Sequence, residues 1–419
     1  MVLANRPPPG QRPRDSIGTM LRRKLYDVAV IGLGTMGSFA AVELAKRGLS
    51  VAGFDRFTPP HGRGSHSGAT RIYRVAYAEG TGYVPLAQRA GALWDQASEE
   101  SATQLLHRIG MLYMGPPDGS FVREVAASAA ANQLPVEMLS APEVRSRYPV
   151  FQIPENFGAI LDPQAGWIDV NAAIASSHAR AMTLGTDILF DQPVRGWDAT
   201  TNEIRVHLKN ETVTASNLVL TVGAWTNPLL HHLRLPLQVK RKIIAWFDPL
   251  DPGKFAPDRI PIFSFPDNWA YGFPNVPGMG VKMAQHLGGD FLADASDATL
   301  PPGPADLDPI AAIAARYLPQ LAGDPQQARS RLRHAETCLY TMTPDEDFIV
   351  DRHPGFRNVV FAAGFSGHGF KFAPVIAQAL ADLLIDGKTS LPIGFLALNR
   401  QLLQKHRTQG INNKNATAG

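Results

Sequence analysis

Apolar order along the chain begins at Tyr26. Residues 27–31, Asp-Val-Ala-Val-Ile, form a nearly continuous apolar run, the pattern of a strand buried on both faces of a parallel sheet. A glycine-rich turn follows, residues 38–47 read as a helix ending at Gly48, and residues 49–54 read as a second strand with Asp55 at its end. Together they make a βαβ unit of about thirty residues. Residues 217–223 and 358–364 repeat the pattern of a buried strand closed by glycine. Helices are predicted over 83–105, 122–132, 309–317 and 372–386, and strands over 111–114, 188–195, 203–208 and 213–222. From Leu237 to Met283 strand-like runs alternate with Pro and Gly turns, which predicts a mainly antiparallel sheet with its helices apart from it. Residues 287–308 read as loop.

The fold class expected is therefore α/β, with an α+β part for substrate. A Rossmann-type domain would comprise 25–105, 145–235 and 330–400, interleaved with a substrate domain of 106–144 and 236–329. Residues 1–24 are rich in Pro and Arg, lack the apolar stretch of a secretory signal, and read as a disordered tail. Residues 401–419 read as a polar C-terminal tail.

Composition narrows the function classes. In 419 residues, 45% hydrophobic and 18% charged, a large core is affordable and wholesale disorder is excluded. Lys+Arg 40 against Asp+Glu 37 is too balanced for a protein held on a nucleic-acid backbone. Cys338 is the single cysteine, which excludes an internal disulfide framework and a zinc site of several thiolates. No apolar run is long enough to span a bilayer. The expectation is a cytoplasmic protein with no metal, no membrane and no nucleic-acid partner.

The sharpest motif is Gly32-Leu-Gly34-Thr35-Met36-Gly37. The first glycine makes the tight turn, the second admits a pyrophosphate against the backbone, and the third lets helix and strand pack closely. The helix then offers free N–H groups to the anion. Asp55, about 20 residues on, can accept both ribose hydroxyl hydrogens. These residues predict a dinucleotide and leave NAD and FAD both open.

Further segments carry a resemblance. Pro59-Pro-His61, Gly64-Ser65-His66, Thr70-Arg71-Ile-Tyr-Arg74, Tyr83-Val-Pro85 and Gly223-Ala-Trp225 lie in the first half of the chain. Tyr271-Gly-Phe-Pro274, Gly280-Val-Lys282, Cys338-Leu-Tyr340, Asp347-Phe-Ile-Val-Asp351 and Gly364-Phe-Ser-Gly367-His368-Gly369-Phe-Lys371 follow. In order and spacing, over roughly residues 25–400, they resemble the monomeric sarcosine oxidase and N-methyltryptophan oxidase family of flavoproteins. The resemblance implies FAD, joined through its 8α-methyl group to Cys338. Arg331, Arg333 and His334 lie near that cysteine in sequence and are expected to favour its thiolate.

The resemblance also implies roles residue by residue. Lys282 matches a lysine near flavin N5 that promotes reaction with oxygen, by stabilising the charge of developing superoxide. His286 is expected on the same strand face as Lys282, an even spacing away. Arg74 and Lys371 match a pair that binds the substrate carboxylate. Arg71 matches an arginine against the flavin, and Tyr271 an active-site tyrosine. The 364–369 loop is expected to present backbone N–H groups to the flavin's pyrimidine edge, with Gly364, Gly367, His368, Gly369 and Lys371 in contact. Ser65, His66 and Val194 complete the expected cofactor contacts.

Three positions depart from the family pattern. Ser67 stands in place of a second histidine, Ala69 in place of an aspartate, and Trp269 in place of a smaller or differently shaped side chain. The activity implied is that of a monomeric oxidase of N-alkyl or cyclic α-amino acids. It proceeds by hydride-equivalent transfer, imine hydrolysis and reduction of O2 to H2O2. A dehydrogenase passing electrons to a quinone or protein, a flavin-binding protein with a degraded site, and an NAD-dependent amino-acid dehydrogenase are the rival readings.

Overall fold

Leu25–Ile31 is the central strand of an eight-stranded sheet in the computed structural model, which describes residues 25–400 and Leu21, apart from Ala78 and Leu300. It pairs in parallel with Thr212–Leu220 on one side and Val51–Phe54 on the other. Asp187–Leu189 and Phe356–Ala363 extend the parallel part. An antiparallel edge comes from Gly196–Ala199 and Ile204–His207. The first of the two expected strands closed by glycine thus lies beside the first βαβ unit, and the second pairs with it one strand further out.

The helix Thr35–Lys46 buries Phe39, Ala40, Ala41 and Leu44 against the sheet and the helix Ala373–Ile385. Each large side chain buried there contributes about 1.5–3 kcal/mol. That face fixes the helix so that its N-terminus, capped by Gly34, opens at the carboxyl end of the parallel strands, where such sheets bind ligands.

A nine-stranded sheet carries the antiparallel part. Gln238–Phe247 lies between Leu332–Met342 and Gly280–Gln285. Ala270–Val276, Ile262–Phe265, Met111–Gly115, Gly158–Asp162 and Glu137–Ser140 follow. Thr70–Tyr73 belongs to a separate three-stranded sheet with Gly166–Asp169 and Leu106–Arg108. Two segments placed by sequence with the nucleotide-binding part therefore each lend a strand to the second sheet: Gly158–Asp162 from 145–235 and Leu332–Met342 from 330–400.

Some element bounds differ from the sequence reading. The strand expected over 188–195 ends at Leu189, because Asp191 adopts a left-handed φ of 56° and Pro193 follows. The helix expected over 309–317 starts at Pro304, where the Gly303 N–H donates to Asp306 Oδ2 at 2.8 Å. Within 287–308 lie the short strand Asp290–Leu292 and a turn of 3-10 helix. The two tails fall almost wholly outside the described residues. Among the described residues, no helix is long and apolar enough to cross a membrane.

Candidate active site

A cavity of about 480 Å³ runs from the glycine turn to the second sheet. Gly32, Gly34, Thr35, Met36, Asp55, Ser65, His66 and Val194 line it, as do Arg71, Tyr271, Cys338, Gly364, Gly367 and Gly369. Gly37 does not; a Cβ there would run into the Gly32 carbonyl, so its task is close packing of helix on strand. Gly32 has φ 88°, and a Cβ there would come within 2.7 Å of the Thr221 carbonyl. At Gly34 the nearest atom to an added Cβ is His66 Nδ1 at 3.4 Å, which leaves the backbone open to a ligand. Burial pushes His66 down to about 3, so its ring is neutral there.

Asp55 closes this end. Its Oδ2 accepts from the Leu33 N–H at 2.8 Å and its Oδ1 from the Phe57 N–H at 2.9 Å. Burial raises the carboxyl to about 6 even though both backbone bonds favour its charge.

At the far end, Cys338 and Tyr340 share one face of their strand with Ile244, Trp246 and Ala284. Arg71 Nη2 donates to Cys338 Sγ at 3.3 Å and to the Ser65 carbonyl at 2.9 Å. The cations expected beside the sulfur are not there: Arg333 pairs with Asp248 and exposed His334 with Glu336. Four residues along a strand span about 13 Å, too far for His334 to act on Cys338. Arg71, brought in from another sheet, takes that position.

Lys282 lies behind this wall and lines neither cavity. Its Nζ donates to the carbonyls of Gly68 at 2.9 Å and Thr70 at 2.6 Å, and meets Thr70 Oγ1 at 2.7 Å. Those oxygens suit an ammonium, whereas burial and Arg71 push its proton affinity well down. His286 follows the end of the strand that carries Lys282 and enters a different space.

That space is a smaller cavity of about 90 Å³ lined by Arg74, Glu79, Tyr271, His286, His368 and Lys371, among others. It shares Arg71, Tyr271, Tyr340, Gly367 and Phe370 with the large cavity, so the two adjoin. Arg74 forms an ion pair with Glu79 and lies over the Tyr77 ring, 4.2 Å from its centroid. Glu79 is held well below the usual carboxylate range by Arg74 despite burial, and its Oε2 has no hydrogen-bond partner. Lys371 Nζ donates to the His368 carbonyl at 2.7 Å and to Tyr77 Oη at 3.1 Å. Trp269 lines the cavity in a left-handed conformation, stacked on His286 at 5.9 Å. Burial pushes His286 down to about 4.

The chain matches the family model "FAD dependent oxidoreductase" over residues 27–383. It is 36% identical over 387 residues to monomeric sarcosine oxidase of Bacillus sp. (strain B-0618), covering 91% of this chain and 97% of that protein. It is 35% identical over 389 residues to N-methyl-L-tryptophan oxidase of Yersinia pestis (strain Pestoides F), covering 90% and 99%. Among solved structures, NikD, an unusual amino acid oxidase essential for nikkomycin biosynthesis, superposes with a TM-score of 0.78 at 26% identity, covering 90% and 98%. L-proline dehydrogenase of P. horikoshii shares the fold at 22% identity and a TM-score of 0.77.

The chain belongs to the FAD dependent oxidoreductase family.

The large cavity fits FAD. Trp225 Nε1 and Thr341 Oγ1 both line it and both are buried without a hydrogen-bond partner, which is unusual for polar atoms unless a ligand engages them. The Gly32–Gly34 turn and Asp55 would hold the pyrophosphate and ribose, and the Gly364–Gly369 loop the ring.

Several residues of this site had no sequence signal. Glu79 is an acid five positions past Arg74 with nothing local to mark it. Tyr77 meets Lys371 and His368 only through the fold. Tyr340 was legible, because a position two beyond Cys338 on a strand shares its face. Ser67 turns away from the cavity and donates to the Thr337 carbonyl at 2.8 Å. Ala69 takes a left-handed φ of 55° in the turn that presents its oxygens to Lys282.

Proposed function

We propose that this FAD-dependent oxidoreductase oxidises secondary α-amino acids, N-alkyl or cyclic, and passes the electrons to oxygen. The observation that carries the reading is a small cavity holding Arg74 and Lys371 that adjoins the cofactor cavity and shares Arg71, Tyr271 and Tyr340 with it. A carboxylate is the ligand that an arginine and a lysine placed together recognise. The names of the relatives support an amino acid with an N-alkyl group.

FAD supplies a two-electron acceptor that oxygen can reoxidise to give H2O2. The chain's own residues do the rest. Arg74 and Lys371 orient the carboxylate so that the amine nitrogen faces the cofactor cavity. Tyr271, Tyr340 and Trp269 bound the space for the N-substituent and exclude water from the reacting atoms. His286 and His368, both neutral, form part of the wall of the smaller cavity. Lys282, behind the Gly68–Thr70 turn, adds positive field on the side where oxygen acquires charge.

Within the same reading, Cys338 would be the attachment point for the flavin, and Arg71 would hold positive charge beside its sulfur. Both sheets then face the cofactor, the first through the Gly32–Gly34 turn and the second through Cys338, in a monomer of a reducing compartment such as the cytoplasm. Anaerobic reduction of the bound flavin by secondary amino acids tests the proposal.

A further inference from the structure

The hydrogen-bond pattern around Lys371 runs in one direction. His368 Nε2 lies 3.1 Å from the Glu346 carbonyl, which can only accept, so Nε2 carries the hydrogen and Nδ1 is an acceptor. Tyr77 Oη, 2.7 Å from Nδ1, therefore donates to it. The Tyr77 oxygen is then left to accept from Lys371 Nζ at 3.1 Å. Nζ also donates to the His368 carbonyl at 2.7 Å. Both hydrogens of an uncharged amine are thereby placed, and one lone pair of the tetrahedral nitrogen remains. Lys371 lines the substrate cavity.

The surrounding charges favour that uncharged form. Lys371 is 4% exposed, and the titratable groups facing it are Arg74, Glu79, Tyr77, His286 and His368. Arg74 and Glu79 neutralise each other. Burial keeps both histidines neutral and holds the Tyr77 phenol protonated. Burial and Arg74 together push the Lys371 ammonium well below its ordinary range.

A secondary amino acid enters as a zwitterion, with a carboxylate and an ammonium, and its nitrogen must lose a proton before it can give up electrons. We propose that Lys371, waiting as the free amine, takes that ammonium proton and so becomes the cation that holds the carboxylate. The N–H bond of the substrate breaks, an N–H bond forms at Nζ, no electrons move, and the total charge of pocket and ligand is unchanged. Amine activation and carboxylate binding become one event. His368 cannot serve instead, since Tyr77 and the Glu346 carbonyl occupy both of its ring nitrogens. The inference rests on the reading under Proposed function and adds to it the destination of the proton.

The test uses the flavin-loaded enzyme and two carboxylates that cannot bring an amine proton, methoxyacetate and tetrahydrofuran-2-carboxylate. Titration calorimetry in buffers of different ionisation enthalpy, near pH 8, should show one proton taken up per ligand bound. Lys371→Arg, which is always charged and has no lone pair, should bind them without uptake. In anaerobic stopped-flow, that variant should reduce the flavin at a rate rising about tenfold per pH unit until the substrate amine ionises by itself. The wild type should lack that slope. Binding without proton uptake by the wild type, or the same pH profile in Lys371→Arg, would overturn the assignment while leaving the amine-oxidase reading intact. If neither carboxylate binds and no secondary amino acid reduces the flavin, the underlying reading fails, and this one with it.

Discussion

Arg71 and Cys338 meet at 3.3 Å although they come from different sheets, and the guanidinium's other hydrogen bonds go to the carbonyls of Thr70 and Ser65. A fixed cation beside the sulfur is what the proposed bond to the flavin would call for. Acid precipitation should therefore leave the yellow colour in the protein pellet. Cys338→Ala should release it to the supernatant. Colour in the supernatant of the wild type would end the attachment proposal.

The Arg74–Glu79 pair should hold carboxylate affinity down, because Arg74 shares its charge with an anion inside the pocket. Glu79→Gln removes that competitor and leaves the shape. Methoxyacetate, followed by perturbation of the flavin spectrum, should bind about tenfold more tightly or better, the usual size of a close charge effect. Equal or weaker binding would show that Glu79 serves mainly to position Arg74.

Lys282 touches oxygens of Gly68 and Thr70 and lines neither cavity, so its influence must be electrostatic. Lys282→Met should slow reoxidation of the reduced flavin by oxygen at least about 100-fold, about 2.7 kcal/mol or more in the barrier, and leave flavin reduction within a fewfold. Stopped-flow measurement of the two half-reactions separates these rates. Equal slowing of both would assign the residue to the structure of the Thr70 turn.

Asp55 gives a pH signature at the other end of the cofactor. Burial raises its carboxyl to about 6, and a protonated Asp55 has one acceptor fewer for the ribose. In Cys338→Ala, flavin affinity should fall by up to about tenfold per unit as pH drops below 6, and Asp55→Asn should flatten the profile. In the apoprotein the sign on stability is the opposite. Folding takes up a proton at Asp55 between its ordinary 3.8 and about 6, so its contribution is present below 3.8 and lost as pH rises through 6.

The nucleotide end was legible because its constraints are local. Gly32 and Gly37 each answer a steric demand within a few residues or from the adjoining strand, Gly34 leaves the turn open between them, and a pattern of apolar runs places all three. The smaller cavity was legible only in part. Arg74 and Lys371, which the resemblance pairs at the substrate carboxylate, line one cavity, yet the charge of each depends on Glu79, Tyr77 and His368, which long-range packing delivers. Alternation along a strand predicted only that His286 shares a face with Lys282. It could not show that the left-handed turn at Gly68 and Ala69 would draw the ammonium behind the wall. Nearness in sequence pointed to His334 for Cys338, and the extended strand carries that histidine away.

The central claim is that a secondary amino acid bound in the Arg74–Lys371 cavity gives two electrons to FAD in the adjoining one. Anaerobic mixing of the flavin-loaded protein with sarcosine, N-methyltryptophan, pipecolate and proline tests it directly, read as loss of the oxidised flavin band. Rapid bleaching by at least one of these, and its return with H2O2 when oxygen is admitted, is the predicted result. A bound flavin that none of them reduces would contradict the account.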